Sequence, residues 1–253
     1  MSTPVAETAA VALPAAPPPP APLASRIADT FFAPTRVFEQ FRDRDDAPWL
    51  GPVFVSVALA LLLTALRPLF ISNQQMAEMM LQKASEMGQQ NLPSAEQMEG
   101  RMGIQIAIGT VFTVGWLFLR PLVAGGVLAA LYGLFMGGRA RFSAYRAVAS
   151  HALLVSTLGF LVTSALIFAT GRLDLSLDAS LVLGPDAKGV AASVLHAITP
   201  FSVWATVLLA LGGSVVNRRR GWAGAAAALL SLQLGLALAW GLVMHLLTAR
   251  AGG

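Results

Sequence analysis

Long apolar runs separated by short charged turns organise this chain. No Asp, Glu, Lys or Arg stands between Asp46 and Arg67, Arg101 and Arg120, or Arg120 and Arg139. The same holds between Arg146 and Arg172, Lys188 and Arg218, and Arg220 and Arg250. A run of about 18 or more apolar residues is long enough to cross a ~30 Å hydrocarbon core as a helix. The pattern predicts an all-α, polytopic membrane protein with five transmembrane helices, at about 49–71, 121–138, 147–170, 190–216 and 222–248. Before the first span, Pro34 and Thr35 can open a short amphipathic helix. Val37, Phe38 and Phe41 share one of its faces, opposite Arg36, Glu39, Arg42 and Asp43. Such a helix directly before a span is expected to lie in the headgroup region.

Residues 1–24 are rich in Ala and Pro and carry one charge, Glu7, so they read as a disordered or polyproline-like tail. With no basic leading region and with prolines interrupting any apolar helix, they do not read as a signal peptide. Residues 25–48 form the cytoplasmic juxtamembrane segment, and 49–248 the membrane domain. Within that domain, 72–120 is expected to be an outer loop with interfacial helices, and the polar loop before the fourth span turns at Gly184-Pro185.

The stretch 102–138 is 37 apolar residues with Arg120 in its middle, and it could cross once or twice. Positively charged residues decide between the two, because cytoplasmic loops are enriched in Lys and Arg. A single crossing, with the N-terminus inside and the C-terminus outside, puts ten of them inside and five outside; a double crossing gives eight and eight. The single crossing is therefore expected. As a straight helix the stretch would span about 55 Å, well beyond the core. Proline disfavours helical backbone at the residue before it, so a break is expected at Arg120-Pro121, leaving 121–138 to cross and 102–119 to lie along the outer leaflet or against the bundle.

Composition supports this reading. The chain is 56% hydrophobic and 12% charged, against about 25% charged in ordinary soluble domains. Its net charge of +4 comes from residues at span ends and not from an aromatic-interleaved patch, so nucleic acid is not expected as a partner. The absence of Cys excludes disulfides and thiol chemistry.

Candidate chemistry is sparse. Leu-Arg-Pro-Leu occurs twice, at 66–69 and 119–122. Arg67 and Arg120 are expected at the same outer face, either as headgroup anchors or, if turned toward each other, as a paired anion site. His151, His196 and His245 fall in the third, fourth and fifth spans, with no acidic residue in any span to pair with them. Ser150 adjoins His151, but adjacent helix positions point about 100° apart, and no carboxylate is at hand to orient the ring. Met76, Met79 and Met80 are spaced to share a helix face; they suit a soft metal site or, preferably, a lipid-facing surface. No cofactor is expected. Small residues recur every fourth position at Gly125/Ala129/Gly133/Gly137, at Ser202/Thr206/Ala210/Ser214 and at Ala223/Ala227/Ser231/Gly235/Ala239, as helix packing in membranes requires.

Four pieces, taken in order, resemble a known family: "FFAPTRVFEQFR" before "PWLGPVF", then "LYGLFMGGRARFSAYRAVASHALL", the polar loop, and "ITPFSVWATVLLALGGSVV". Together they resemble the bacterial branch of the Yip (Ypt-interacting protein) family over about residues 31–248. The resemblance implies a five-span protein of the bacterial inner membrane with a cytosolic N-terminus. Eukaryotic members are linked to Rab-type GTPases, but the acidic Tyr- and Gly-bearing motifs of those members are missing here, so GTPase binding is not carried over. The expected function is a non-enzymatic scaffold or interaction protein, meeting the lipid bilayer, a second copy or another membrane protein. A small transporter or channel using Arg120 and His151 is the alternative.

Overall fold

The computed structural model describes residues 18–86, 92–171, 175, 177–183 and 189–251. Residues 1–17, which make up most of the expected tail, and the Gly184-Pro185 turn lie outside these. Every regular element among the described residues is helical. Two short helices, α1 (Leu23–Phe32) and α2 (Pro34–Glu39), precede α3 (Leu50–Leu66), which runs into a 3₁₀ turn at Arg67–Leu69. After α4 (Asn73–Glu86) comes α5 (Ala95–Ala129), which continues as π-helix through Ala130–Phe135. The chain then folds α6 (Phe142–Ala152), α7 (Leu154–Thr170), α8 (Val190–His196), α9 (Pro200–Val216) and α10 (Ala223–Ala251).

Four stretches are long and apolar enough to cross a membrane: Leu50–Leu69, Ala95–Phe135, Phe142–Thr170 and Ala223–Leu246. The fifth is α8 with α9, counted as one span bent by 61°. The bend follows from the sequence Ile-Thr-Pro at 198–200. Thr199 accepts a hydrogen bond from the Ser202 amide (2.8 Å), Ser202 Oγ accepts one from the Thr199 amide (2.9 Å), and Pro200 occupies the first helical turn. This is a capping box, and it starts a new helix inside an apolar run. Carbonyls freed at a break inside the membrane need a donor, and Gln233 of α10 supplies one to Ala197 O at 2.8 Å.

The break expected at Arg120-Pro121 is absent, and α5 passes through Pro121. Interior proline removes one helix hydrogen bond, whereas breaking the helix would expose several unpaired groups to hydrocarbon. A capping box between Ser94 and Gln97 fixes the start of α5. With no turn at Arg120, the chain has no place there to reverse. The 41 residues Ala95–Phe135 extend about 60 Å, twice the ~30 Å core.

The amphipathic face of α2 also lies elsewhere than expected. Val37, Phe38 and Phe41 are fully buried in the bundle core, together with Leu128, Tyr132, Val148 and Leu208. Glycine makes this possible, since a Cβ on Gly212 of α9 would come within 3.1 Å of the Phe38 ring. Phe31 of α1 meets Trp204 edge-on at 5.8 Å. Burial between helices removes these side chains from water more completely than a headgroup layer does, at about 1.5–3 kcal/mol each. The loop after α2 is tied down as well. Arg42 donates to Val215 O at 2.8 Å, Asp43 pairs with Arg218 at 2.7 Å, and Asp45 pairs with Arg141 at 2.5 Å.

Candidate functional site

Three clusters of polar side chains bear on the candidate residues. The first joins α3, α5 and α7. Arg120 Nη2 donates to Thr157 Oγ1 at 2.9 Å and approaches Leu153 O at 3.4 Å. Ser56 Oγ lies 2.8 Å from Thr157 Oγ1 and donates its proton to Pro52 O at 3.0 Å. A hydroxyl carries one proton, guanidinium has only donors and a carbonyl only accepts, so the direction is fixed: Arg120 to Thr157, Thr157 to Ser56, Ser56 to Pro52. Leu153 is the residue between α6 and α7, and its carbonyl lies at that junction. Ser56 is eleven residues before Arg67, about 16 Å along the helix. Arg120 therefore meets α3 about 16 Å before Arg67 along the helix, and the hydrogen bonds of the two arginines have no atom in common. Arg67 instead donates to Asn73 Oδ1 at 2.8 Å and Met76 Sδ at 3.3 Å.

The second point is His151, fully buried on α6. Its Nδ1 lies 2.8 Å from Ala147 O, and a carbonyl only accepts, so this nitrogen carries the proton. Ser150 Oγ, 3.3 Å away, donates to Ala147 O as well. The Nε2 of His151 is buried without a partner, and the Phe41 ring packs at 4.8 Å. The hydrogen bonds of Arg120 and His151 have no atom in common.

The third point was not visible in the spans because its acid comes from the loop. His196 at the end of α8 lies 2.8 Å through Nδ1 from Asp178 Oδ2, and Ser180 Oγ is 3.2 Å from the same nitrogen. Burial raises the Asp178 carboxyl, but hydrogen bonds from Ser180 and His196 outweigh it and hold the group below the usual carboxylate range. Among the described residues no three His, Asp or Glu side chains converge as a metal group would need.

The remaining candidates divide by burial. Met76 is half-buried against the Arg67 cation, a poor neighbour for a metal ion, while Met80 is exposed. Gly125 is buried; a Cβ there would stand 3.1 Å from the Arg146 backbone, so α5 and α6 touch main chain to main chain. Ala129 packs on the core, but Gly133 is exposed in the π-helical turn, and Gly137 has left the helix with φ +65°. Thr206, Ala210 and Ser214 of α9 are buried, with Tyr132 OH donating to Ala210 O at 2.6 Å. Ser231, Gly235 and Ala239 of α10 face outward. His245 is exposed near the end of α10. The lone serine and threonine at 56 and 157 carried no signal of their role, because isolated hydroxyls in apolar runs usually bond back to their own helix.

Comparison with known proteins agrees with this architecture. A family model described as the Yip1 domain matches residues 28–243. Membrane protein YknW of Bacillus subtilis (strain 168) is 28% identical over 200 residues, which is 75% of this chain and 79% of that protein. No solved structure matches the chain. The match runs from within α1 to within α10, and the chain belongs to the Yip1 family of multispanning membrane proteins.

Proposed function

We propose that this protein is a non-enzymatic scaffold of the bacterial inner membrane, working through contacts with lipid or with protein partners, its N-terminus cytoplasmic and its C-terminus outside. One observation carries the reading. Arg120 and His151, both within apolar helices, make their hydrogen bonds to separate groups of the helix packing and share no partner. A transporter is expected to place such residues along a substrate or ion path. Here Arg120 is locked to α3 and α7, and His151 is sealed under Phe41. The outward row Ser231, Gly235 and Ala239 leaves α10 open to a second copy or another membrane protein.

Crosslinking from native membranes tests this. Photoreactive groups at positions 231 and 235 should capture a defined protein adduct, either a dimer of this chain or a discrete partner. Only lipid adducts at both positions, combined with solute flux in proteoliposomes abolished by Arg120→Gln or His151→Ala, would favour the transport alternative instead. Reporter fusions at 140 and 180 check orientation: a cytoplasmic signal is expected at 140 and an external one at 180.

A further inference from the structure

A cavity of about 370 Å³ opens between α3, α4, α5 and α7, within the ~300–1,000 Å³ range of ligand pockets. Leu63, Ile106, Val114, Phe160, Ile167 and Phe168 are among its apolar lining. Thr64, Thr110 and Thr113 also line it. Each of their hydroxyls donates to the carbonyl four residues back in its own helix, at 2.7–2.9 Å, and with Ser164 they are the hydroxyls of an otherwise largely apolar wall. A cavity whose wall is predominantly apolar, with a few polar groups to fix orientation, suits an apolar ligand with one polar end.

One charged side chain, Arg67, lines the cavity, at the end of α3. Among the described residues it has no carboxylate partner. Its Nη atoms make one amide and one thioether contact, and its Nε is shut off from solvent with no partner at all. Guanidinium is matched best by phosphate or carboxylate oxygens, which it binds through paired N–H donors. A largely apolar slot ending at a guanidinium with no carboxylate partner is complementary to a chain with a single anionic head.

We propose that this cavity holds one acyl chain of an anionic phospholipid, with the lipid phosphate on Arg67. The inference rests on the interaction reading above and names its lipid. The phosphate takes the Nη1–Nη2 edge of the guanidinium and displaces the weak Met76 thioether contact on Nη1, while Asn73 keeps the other Nη2–H.

The test uses the full chain reconstituted in nanodiscs of equal parts phosphatidylcholine and phosphatidylglycerol, then released into detergent for native mass spectrometry. The wild type should retain one phosphatidylglycerol per protomer and no phosphatidylcholine. Arg67→Gln should lower that retention about tenfold. Gly109→Leu should lower it comparably with Arg67 untouched, since Gly109 lines the cavity and a Cβ there meets no other atom within 4 Å. Equal retention of both lipids, or retention unchanged in Arg67→Gln, would overturn the anionic head. Loss in Arg67→Gln alone, with Gly109→Leu behaving as wild type, would leave a surface headgroup contact and overturn the buried chain. Protein adducts at 231 and 235 are read separately, so the scaffold reading survives or falls by itself.

Discussion

The two Leu-Arg-Pro-Leu copies share four residues and little else. At 66–69 the motif ends a helix: α3 stops at Leu66, a 3₁₀ turn follows, and Ile71 tucks in at 3% exposure. At 119–122 the helix runs on through the proline. The difference lies in what comes next. After Pro68 the chain reads Leu-Phe-Ile-Ser-Asn-Gln-Gln, and Ser72 with Gln75 forms a reciprocal cap for α4 at 2.9 and 3.1 Å. After Pro121 it reads Leu-Val-Ala-Gly-Gly-Val-Leu-Ala-Ala, which offers no cap to start a new helix and a glycine surface on which α6 can pack. Proline weakens a helix; whether the helix ends depends on whether the freed groups find partners nearby. The arginines follow suit. Arg67 takes partners six and nine residues away, and Arg120 takes partners 33 and 37 residues away.

Depth separates the copies most sharply. The chain has no native Cys, so single cysteines report cleanly. A cysteine at Leu69, which is 76% exposed, should react with a membrane-impermeant maleimide in intact membranes. One at Leu119, exposed on α5 beside Arg120 but facing lipid, should react at least about tenfold more slowly, because the thiolate that reacts does not form in hydrocarbon. Equal labelling would put both arginines at one headgroup level after all.

Stability should separate them next. Thr157→Val removes the acceptor that ties Arg120 to α3 and α7, and hydrogen bonds to charged groups are worth about 1.5–3 kcal/mol. The expected result is a loss of about 2 kcal/mol in detergent unfolding. Asn73→Ala, the matching change at Arg67, removes a contact open to solvent and should cost under about 0.5 kcal/mol. Equal losses would mean that Arg120 is as loosely held as Arg67.

The spans were legible in the sequence because apolar run length is a direct physical signal. The helix faces were not. α5 and α10 are apolar all round, so periodicity cannot say which side meets protein, and the Gly125 row and the Ser231 row look equivalent although one is buried at its start and the other faces outward. The partner of Arg120 was hidden for the same reason: Ser56 and Thr157 are 101 residues apart, and only the fold brings them together. The bend at Thr199-Pro200 did have a signal in its capping residues, masked by the apolar run around it. Leaving the Val37, Phe38 and Phe41 face to the headgroups was reasonable for a helix read alone; the matching gap at Gly212 lies far along the chain.

Glycine on either side of Pro121 tests whether α5 is really two regions joined by one continuous backbone. A valine at Gly125 would press its Cβ to 3.1 Å from the Arg146 main chain, which cannot move as a side-chain tip can. Overpacking of this kind costs about 1–3 kcal/mol. At Gly115, six residues before the proline, nothing lies within 4 Å, and the same change should be neutral to within about 0.5 kcal/mol. Comparable losses at both would mean that the first half of α5 is packed by a partner, such as a second copy, that supplies the missing contacts.

The smallest effect expected is at the prolines themselves. Pro121→Ala returns an amide to the interior of α5, where its N–H can reach the Leu117 carbonyl. Interior proline is about 3 kcal/mol worse than alanine in an exposed helix, but here packing against α6 already holds the segment helical. The gain should therefore be partial, about 1 kcal/mol. Pro68→Ala falls after α3 has ended, in a turn closed by the Phe70 and Ile71 amides onto Arg67 O at 3.0 Å, and should leave stability unchanged. Amide exchange sharpens the reading, since Pro121→Ala should slow exchange around 117–124 while Pro68→Ala leaves 64–72 as it was. A stabilisation at 68 equal to that at 121 would show that the first copy, too, sits inside a helix that its proline only interrupts.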